Sequence, residues 1–373
     1  MGRWIAALLV ALLLGVFAAR TGTRVEAAVR SGQVAGAEPN SFDYAHGAAA
    51  LLHGRYVVSW QGRERLPYYT PGLSILLMPS VALGGFAAAV WTCWVSALAV
   101  GALAAVLAYR LGGPGAAPLA VVMVLFTPAA ERFAEVVMSE LPAATLLALE
   151  ALLLAAGRGR RSAAAAGVLA GSLICLRPAS LPHLLAGLAA VTALPDRRRR
   201  TAAYLAGALP PLVLLGAWQW LVLGSPVTTT YQAGRCNPLG RADVSAMFSP
   251  RYAFETPSPP DPMWREGPDF GGRGLGWSLP NGVLYPLQLL GFDGFLLRPG
   301  VGLIGLIALW RYARHGGARG AVARFGSALI LVTLAAYVPY FYQSGRFLIS
   351  AAVFLGCAAA ALTAETATAL CRR

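Results

Sequence analysis

Asp43 is the residue best placed for acid–base chemistry in a chain that carries 16 acidic side chains among 373 residues. It lies in Pro39-Asn40-Ser41-Phe42-Asp43-Tyr44-Ala45-His46, where Asn40 or Ser41 can cap a short helix that Gly54 can end. Helical spacing puts Asp43, His46, Ala50 and His53 on one face, and Tyr44, Ala48, Leu51 and Leu52 on another. A first-turn carboxylate is held ionised by the helix dipole, so Asp43 can serve as a general base or hold a divalent cation. The same spacing also fits an ordinary first-turn acid, and His46 with His53 reads better as a pair of surface residues than as a metal site. Three further acids, Glu131, Glu135 and Glu140, flank one short turn. Arg177 and Arg346 stand at the ends of apolar runs. A guanidinium there can grip a phosphate through two donors, or it can simply snorkel towards water.

The elements that must position these residues are membrane helices. The chain is 57% hydrophobic with a mean hydropathy of +0.61. Apolar runs of a length suited to a hydrocarbon core of about 30 Å recur near 4–19, 88–109, 116–131, 140–157, 162–177, 180–195, 202–223, 295–310, 325–342 and 346–364. The expected fold is therefore an all-α, polytopic membrane bundle of about ten spans, forming a single domain over residues 1–373. The first run follows Met1-Gly2-Arg3 and reads as an uncleaved span rather than a signal peptide, because it is long for a signal and more spans follow.

All 30 basic residues are Arg, and the formal net charge is +14. The basic clusters abut apolar spans, which is the pattern of cytoplasmic loops and argues against nucleic acid as a partner. With Arg3 inside, the loops holding Arg110, Arg158 to Arg161, Arg197 to Arg200, Arg311 to Arg324 and Arg372 also fall inside. Thirteen of the 16 acids then face the other side. The run Leu73 to Phe86 is short and interrupted by Pro79, so it reads as an interfacial or re-entrant helix within a first outer segment, 20–87. A second outer segment, 224–294, is rich in Pro, Gly and aromatics such as Trp264, Trp277, Tyr252, Phe254 and Phe270, and reads as an irregular ordered loop. The five Cys show neither a disulfide framework nor CxxC metal spacing.

The first outer segment continues through Leu52-His53-Gly54-Arg55-Tyr56 to Tyr68-Tyr69-Thr70-Pro71-Gly72. An acid, a short helix ending Leu-x-Gly-x-Tyr, and an aromatic-Thr-Pro-Gly entry into an apolar helix together resemble the first outer loop of GT-C glycosyltransferases. That group includes protein O-mannosyltransferases and lipid A aminoarabinose transferases. Phe126-Thr127-Pro128 with Met138-Ser139-Glu140-Leu141, Leu176-Arg177-Pro178, and Ser344-Gly345-Arg346-Phe347 resemble later motifs of the group in the same order. In the last of these Phe347 replaces a Tyr. Many relatives carry paired acids in the first outer loop, whereas Asp43 stands alone here.

The resemblance implies transfer of a sugar from a polyprenyl-phosphate donor, with inversion, to a glycan, lipid or protein acceptor on the extracytoplasmic face of a bacterial plasma membrane. Asp43 would take the acceptor proton, and Arg177 and Arg346 would hold the phosphate. Glu140 would orient an Arg or bind sugar hydroxyls, Glu131 or Glu135 would supply a second acid, and Tyr69 would line the sugar site, unless it only anchors the loop at the interface. No cofactor is firmly implied; a divalent cation is compatible with the pattern. Two other readings share the charge pattern: a lipid or lipid-linked-sugar transporter, and a non-catalytic GT-C-like subunit of a cell-envelope complex. Against the transporter, Glu150 is the one clear midspan acid and no second half mirrors the first.

Overall fold

The computed structural model describes residues 2–32, 39–60, 63–67, 69–157, 159–227, 278–338 and 345–372. Tyr68, Ser344 and the aromatic-rich stretch 228–277 lie outside the described residues. The helices in chain order are α1 (Arg3–Arg30), α2 (Pro39–Leu51), α3 (Pro71–Gly84), α4 (Ala89–Gly112), α5 (Ala116–Leu125), α6 (Pro128–Ala134) and α7 (Glu140–Ala156). They continue as α8 (Arg160–Leu176), α9 (Leu184–Val191), α10 (Arg197–Leu223), α11 (Ser278–Leu290), α12 (Val301–Ala313), α13 (Gly317–Tyr337) and α14 (Ile349–Leu370). Strands β1 (Val58–Trp60) and β2 (Arg63–Arg65) form one antiparallel hairpin with Ser59 opposite Glu64.

Small side chains let these helices pack closely. Residues Ala351 to Ala361 of α14 are buried throughout, and the helix runs through the centre of the bundle against α4, α5 and α12. A Cβ added at Gly305 would lie 2.4 Å from the Leu355 carbonyl oxygen. At Gly207 it would lie 2.0 Å from the Ala164 carbonyl oxygen, so α8 and α10 touch backbone to backbone. Close approach through Gly and Ala is how helices associate where lipid removes the hydrophobic drive. Helix α1 exposes Trp4, Ile5, Leu8, Leu12 and Val16, an apolar face suited to lipid.

Among the described residues five helices are long and apolar enough to cross a membrane, or six if the bent α5–α6 pair is one span. The expected count of about ten is not reproduced by that measure, for local reasons. The run 116–131 breaks at Phe126, and α6 departs from α5 by 70°. Pro128 has no N–H to continue the ladder, and Thr127 caps the new helix by accepting from the Ala130 N–H at 3.3 Å. The run 180–195 is split into a 3-10 helix, Pro178–His183, and the short α9. The run 295–310 becomes helical at Val301 after a turn in which Gly291, Gly294 and Gly300 have φ of 86°, 68° and 82°. Helices α7 and α8 have 17 residues each, about 25 Å, so they fall just short.

Polar contacts gather at two poles of the bundle. At one, Arg20 and Arg24 of α1 pair with Glu131 and Glu135, and Glu140 meets Arg177 and Arg346. At the other, Glu365 pairs with Arg311 and Arg319, Arg324 donates to Thr192, and Arg200 donates to the Gly157 carbonyl. These are the groups that the charge pattern assigns to opposite sides of the membrane.

The segment expected to be a short helix after Asn40 is α2, but it begins at Pro39, ahead of the expected caps, so Asp43 falls beyond the first turn where the helix dipole acts. The run after Pro71 is α3, 14 residues packed on α2 and α8. Thr70 donates its hydroxyl to the Cys175 carbonyl at 2.6 Å, and a Cβ at Gly72 would lie 2.4 Å from that same oxygen. Gly72→Ala should therefore force α3 away from the end of α8, beside Arg177. We expect a loss of about 1–3 kcal/mol in stability, read as a lower unfolding midpoint in detergent. An unchanged midpoint would show that the contact yields without strain.

Candidate functional site

Glu140 opens α7 and is 3% exposed. Arg177 follows the last residue of α8, and Arg346 lies in the 3-10 turn Gly345–Leu348 that leads into α14. These three residues, far apart in sequence, converge: Glu140 Oε1 is 3.7 Å from Arg177 Nη1 and 3.6 Å from Arg346 Nε. Both separations are longer than a hydrogen bond. Glu140 Oε2 has no hydrogen-bond partner among the described residues. Two guanidiniums sharing one carboxylate in a largely buried place offer several N–H donors to an anion with several acceptor oxygens.

Aromatic rings fix the two arginines. Tyr337 and Phe347 stack with centroids 4.4 Å apart and planes 4° from parallel. The Arg177 guanidinium lies 5.4 Å from the first ring and 5.2 Å from the second, and that of Arg346 lies 5.3 Å from Phe347. These are cation–π distances, and they hold the guanidinium forks in place before any ligand arrives.

Helix α2 and the segment leading into α3 reach this cluster through Tyr44. Tyr44 hydrogen-bonds to Ser139, the residue before Glu140, and burial first, then the Glu140 charge, pushes its phenol above the ordinary range. The Tyr44 ring stacks on Tyr69 at 4.5 Å, and the Ser74 hydroxyl donates to the Tyr44 carbonyl at 3.0 Å. Tyr56 donates its hydroxyl to the Tyr69 carbonyl at 2.7 Å, and burial raises its phenol as well, with the Asp43 charge adding to the shift. Asp43 itself is 2% exposed on α2, next in the chain to the tyrosine that reaches the arginine cluster.

Of the residues singled out in the sequence, the structure brings together Glu140, Arg177 and Arg346, with Tyr69 joined to them through Tyr44. Asp43 lies beside Tyr44 and acts on Tyr56. Glu131 and Glu135 are placed elsewhere, against α1. Glu131 is 3.2 Å from Arg20, and Glu135 is 2.8 Å from Arg24. Burial raises the Glu135 carboxyl despite the opposing Arg24 charge, and Glu131 adds to the rise. His46 packs between Phe42 and Phe86 at 3.9 and 4.6 Å, whereas His53 is exposed. Among the described residues no group of three or more His, Cys, Asp or Glu side chains is placed to hold a metal ion.

Tyr44, Ser139, Tyr337 and Phe347 were not candidates on sequence. Helical spacing puts Tyr44 on a different face from Asp43, yet both are buried, with α3, β1 and the 3-10 turn Phe86–Ala88 packed against α2. The available signal was adjacency: Ser139 precedes Glu140 and Phe347 follows Arg346.

No protein-family model matches the chain, and neither does any curated protein. Solved structures do. The chain is similar to ArnT from Cupriavidus metallidurans bound to undecaprenyl phosphate, with a TM-score of 0.62 and 15% identity over 96% of this chain and 60% of that one. It is also similar to the archaeal oligosaccharyltransferase AglB from Archaeoglobus fulgidus in complex with an inhibitory peptide and a dolichol-phosphate. There the TM-score is 0.58 and the identity 12%, over 98% of this chain and 51% of that one. The chain thus spans about three-fifths of the first neighbour and about half of the second. Both neighbours belong to the GT-C superfamily, and the fold seen here is the GT-C fold.

Proposed function

We propose that this chain is a multi-pass membrane glycosyltransferase of GT-C type, one unit over residues 1–373, which moves a sugar from a polyprenyl-phosphate donor to an acceptor hydroxyl. The observation that carries the reading is the convergence of Arg177 and Arg346 on the single carboxylate of Glu140, within a fold shared with proteins solved with undecaprenyl phosphate and dolichol-phosphate. The paired guanidiniums are suited to the donor phosphate, and the apolar helix faces are suited to its prenyl chain.

In the proposed reaction the acceptor oxygen attacks the anomeric carbon from the face opposite the phosphate. The C–O bond to phosphate breaks, its electron pair leaves on the polyprenyl phosphate, and the acceptor proton passes to Asp43. The configuration at the anomeric carbon inverts. A phosphate leaving group requires no general acid, and Arg177 with Arg346 stabilises the charge that grows on it. Glu140 keeps the guanidiniums apart and in register, and its second oxygen is available to a sugar hydroxyl. Tyr44 and Tyr69 close the sugar side. Charge asymmetry supports cytoplasmic termini and an extracytoplasmic site.

The test separates transfer from transport. Vesicles holding the protein are loaded with a polyprenyl-phosphate sugar labelled in the sugar, and the label is followed. Label joined to a new acceptor with inverted anomeric configuration supports the proposal. Label that crosses the bilayer still attached to its lipid overturns it in favour of a transporter.

A related prediction concerns donor recognition. Arg177→Ala should raise the apparent donor KM by roughly tenfold to a hundredfold, as expected for losing a hydrogen bond to a charged group. An unchanged donor KM would remove Arg177 from phosphate binding.

A further inference from the structure

The 3-10 helix Pro178–His183 carries two buried polar side chains that the reaction above does not use. Ser180 is 1% exposed and His183 is 6% exposed. Neither the Ser180 Oγ nor the His183 Nδ1 has a hydrogen-bond partner among the described residues. A buried polar atom left without a partner carries its full desolvation penalty, and folded proteins retain few of them. Two such atoms within one short helix, beside an arginine pair, indicate that something else completes them.

The backbone puts them in line with Arg177. The Ser180 N–H donates to the Arg177 carbonyl at 2.8 Å, which closes the first turn. At three residues per turn, Arg177, Ser180 and His183 then fall in one row. Helix α13 faces this row. Its Thr333 hydroxyl is 3.4 Å from His183 Nε2, and its Tyr337 ring lies under the Arg177 guanidinium. Thr333 and Tyr337 are four residues apart, about 6 Å along the helix. Guanidinium and imidazole are therefore spaced along α13 by about the width of one phosphate group. Either atom of this contact can donate; in the tautomer in which the Thr333 hydroxyl donates to Nε2, the imidazole proton sits on Nδ1, the nitrogen that lacks a partner among the described residues.

We propose that Arg177, Ser180 and His183 form one anion track, in which the Ser180 O–H and the His183 Nδ1–H donate to the oxygens of the phosphate ester that the two arginines hold by charge. The ligand class is a phosphate ester of a long-chain polyprenol. The inference rests on the donor reading above and adds two positioning residues to it. Arg supplies charge and approximate location, while the two neutral donors fix which phosphate oxygens face inward, and so aim the sugar-bearing oxygen at the acceptor.

The test is binding by the full purified chain in detergent, with undecaprenyl phosphate as the probe and undecaprenol and inorganic phosphate as controls. We expect Ser180→Ala and His183→Leu each to weaken undecaprenyl phosphate binding by roughly tenfold. His183→Asn keeps an amide donor near the Nδ1 position and should bind within about threefold of the unaltered protein, whereas His183→Gln, which carries its amide towards Thr333, should behave like His183→Leu. This pair keeps the test readable if the Leu variant folds poorly. Unaltered affinity in Ser180→Ala and in both His183→Leu and His183→Gln overturns the track and leaves the donor reading intact. Equal affinity for inorganic phosphate, or no binding of undecaprenyl phosphate by the unaltered protein, overturns both.

Discussion

Asp43→Asn is expected to reduce sugar transfer by about 10²–10⁴-fold, the range that general acid–base catalysis supplies. The substitution preserves shape and hydrogen-bonding capacity but removes the site that receives the acceptor proton. Asp43 is buried on α2, in a segment anchored by the Ser74 hydroxyl on the Tyr44 carbonyl and by the Tyr56 hydroxyl on the Tyr69 carbonyl, so Asn should leave the fold in place. Initial rates measured in membranes with matched protein levels check this. Donor binding should persist, because Arg177 and Glu140, which meet at the phosphate-holding cluster, are unaltered in the variant. Full activity in the variant would take Asp43 out of the mechanism.

The second large effect is expected at Glu140. Its carboxylate is shared by Arg177 and Arg346, and all three side chains are largely withdrawn from water. Glu140→Gln leaves two buried guanidiniums without a common counter-charge, a change worth about 3–5 kcal/mol when one partner of a buried ion pair is lost. The unfolding midpoint in detergent should fall accordingly. Undecaprenyl phosphate, which brings a negative charge to the same place, should restore more stability to the variant than it adds to the unaltered protein. A midpoint that does not move, or one equally insensitive to undecaprenyl phosphate in both proteins, would contradict the account of this cluster.

Much of the site was legible because its residues sit where apolar runs end. Glu140, Arg177 and Arg346 are charged groups at span ends, and threading the chain by its arginine clusters puts all three at one pole, where the structure finds them. What sequence could not supply was the convergence itself. That Glu140 meets both arginines depends on how α7, α8 and α14 pack, and that packing rests on backbone contacts at glycines such as Gly72, Gly207 and Gly305. Glu131 and Glu135 illustrate the converse. By position they resemble Glu140, but the 70° bend at Thr127-Pro128 turns α6 towards the long α1, where Arg20 and Arg24 take them up. The span count fared less well, since hydropathy registers apolar length and not the breaks that Phe126, the Pro178–His183 turn and the glycines at 291, 294 and 300 introduce.

The central claim is that a sugar leaves a polyprenyl phosphate at this site. In the donor the phosphorus is a diester, and after transfer it is a monoester, whatever the sugar. Phosphorus NMR of purified protein in lipid vesicles, supplied in turn with polyprenyl-phosphate-linked sugars and candidate acceptors, reads that conversion directly. The account predicts that at least one donor yields polyprenyl monophosphate in step with sugar transfer, and that Asp43→Asn stops it. Conversion that proceeds equally in Asp43→Asn, or a donor that binds and is never converted with any acceptor, would contradict it.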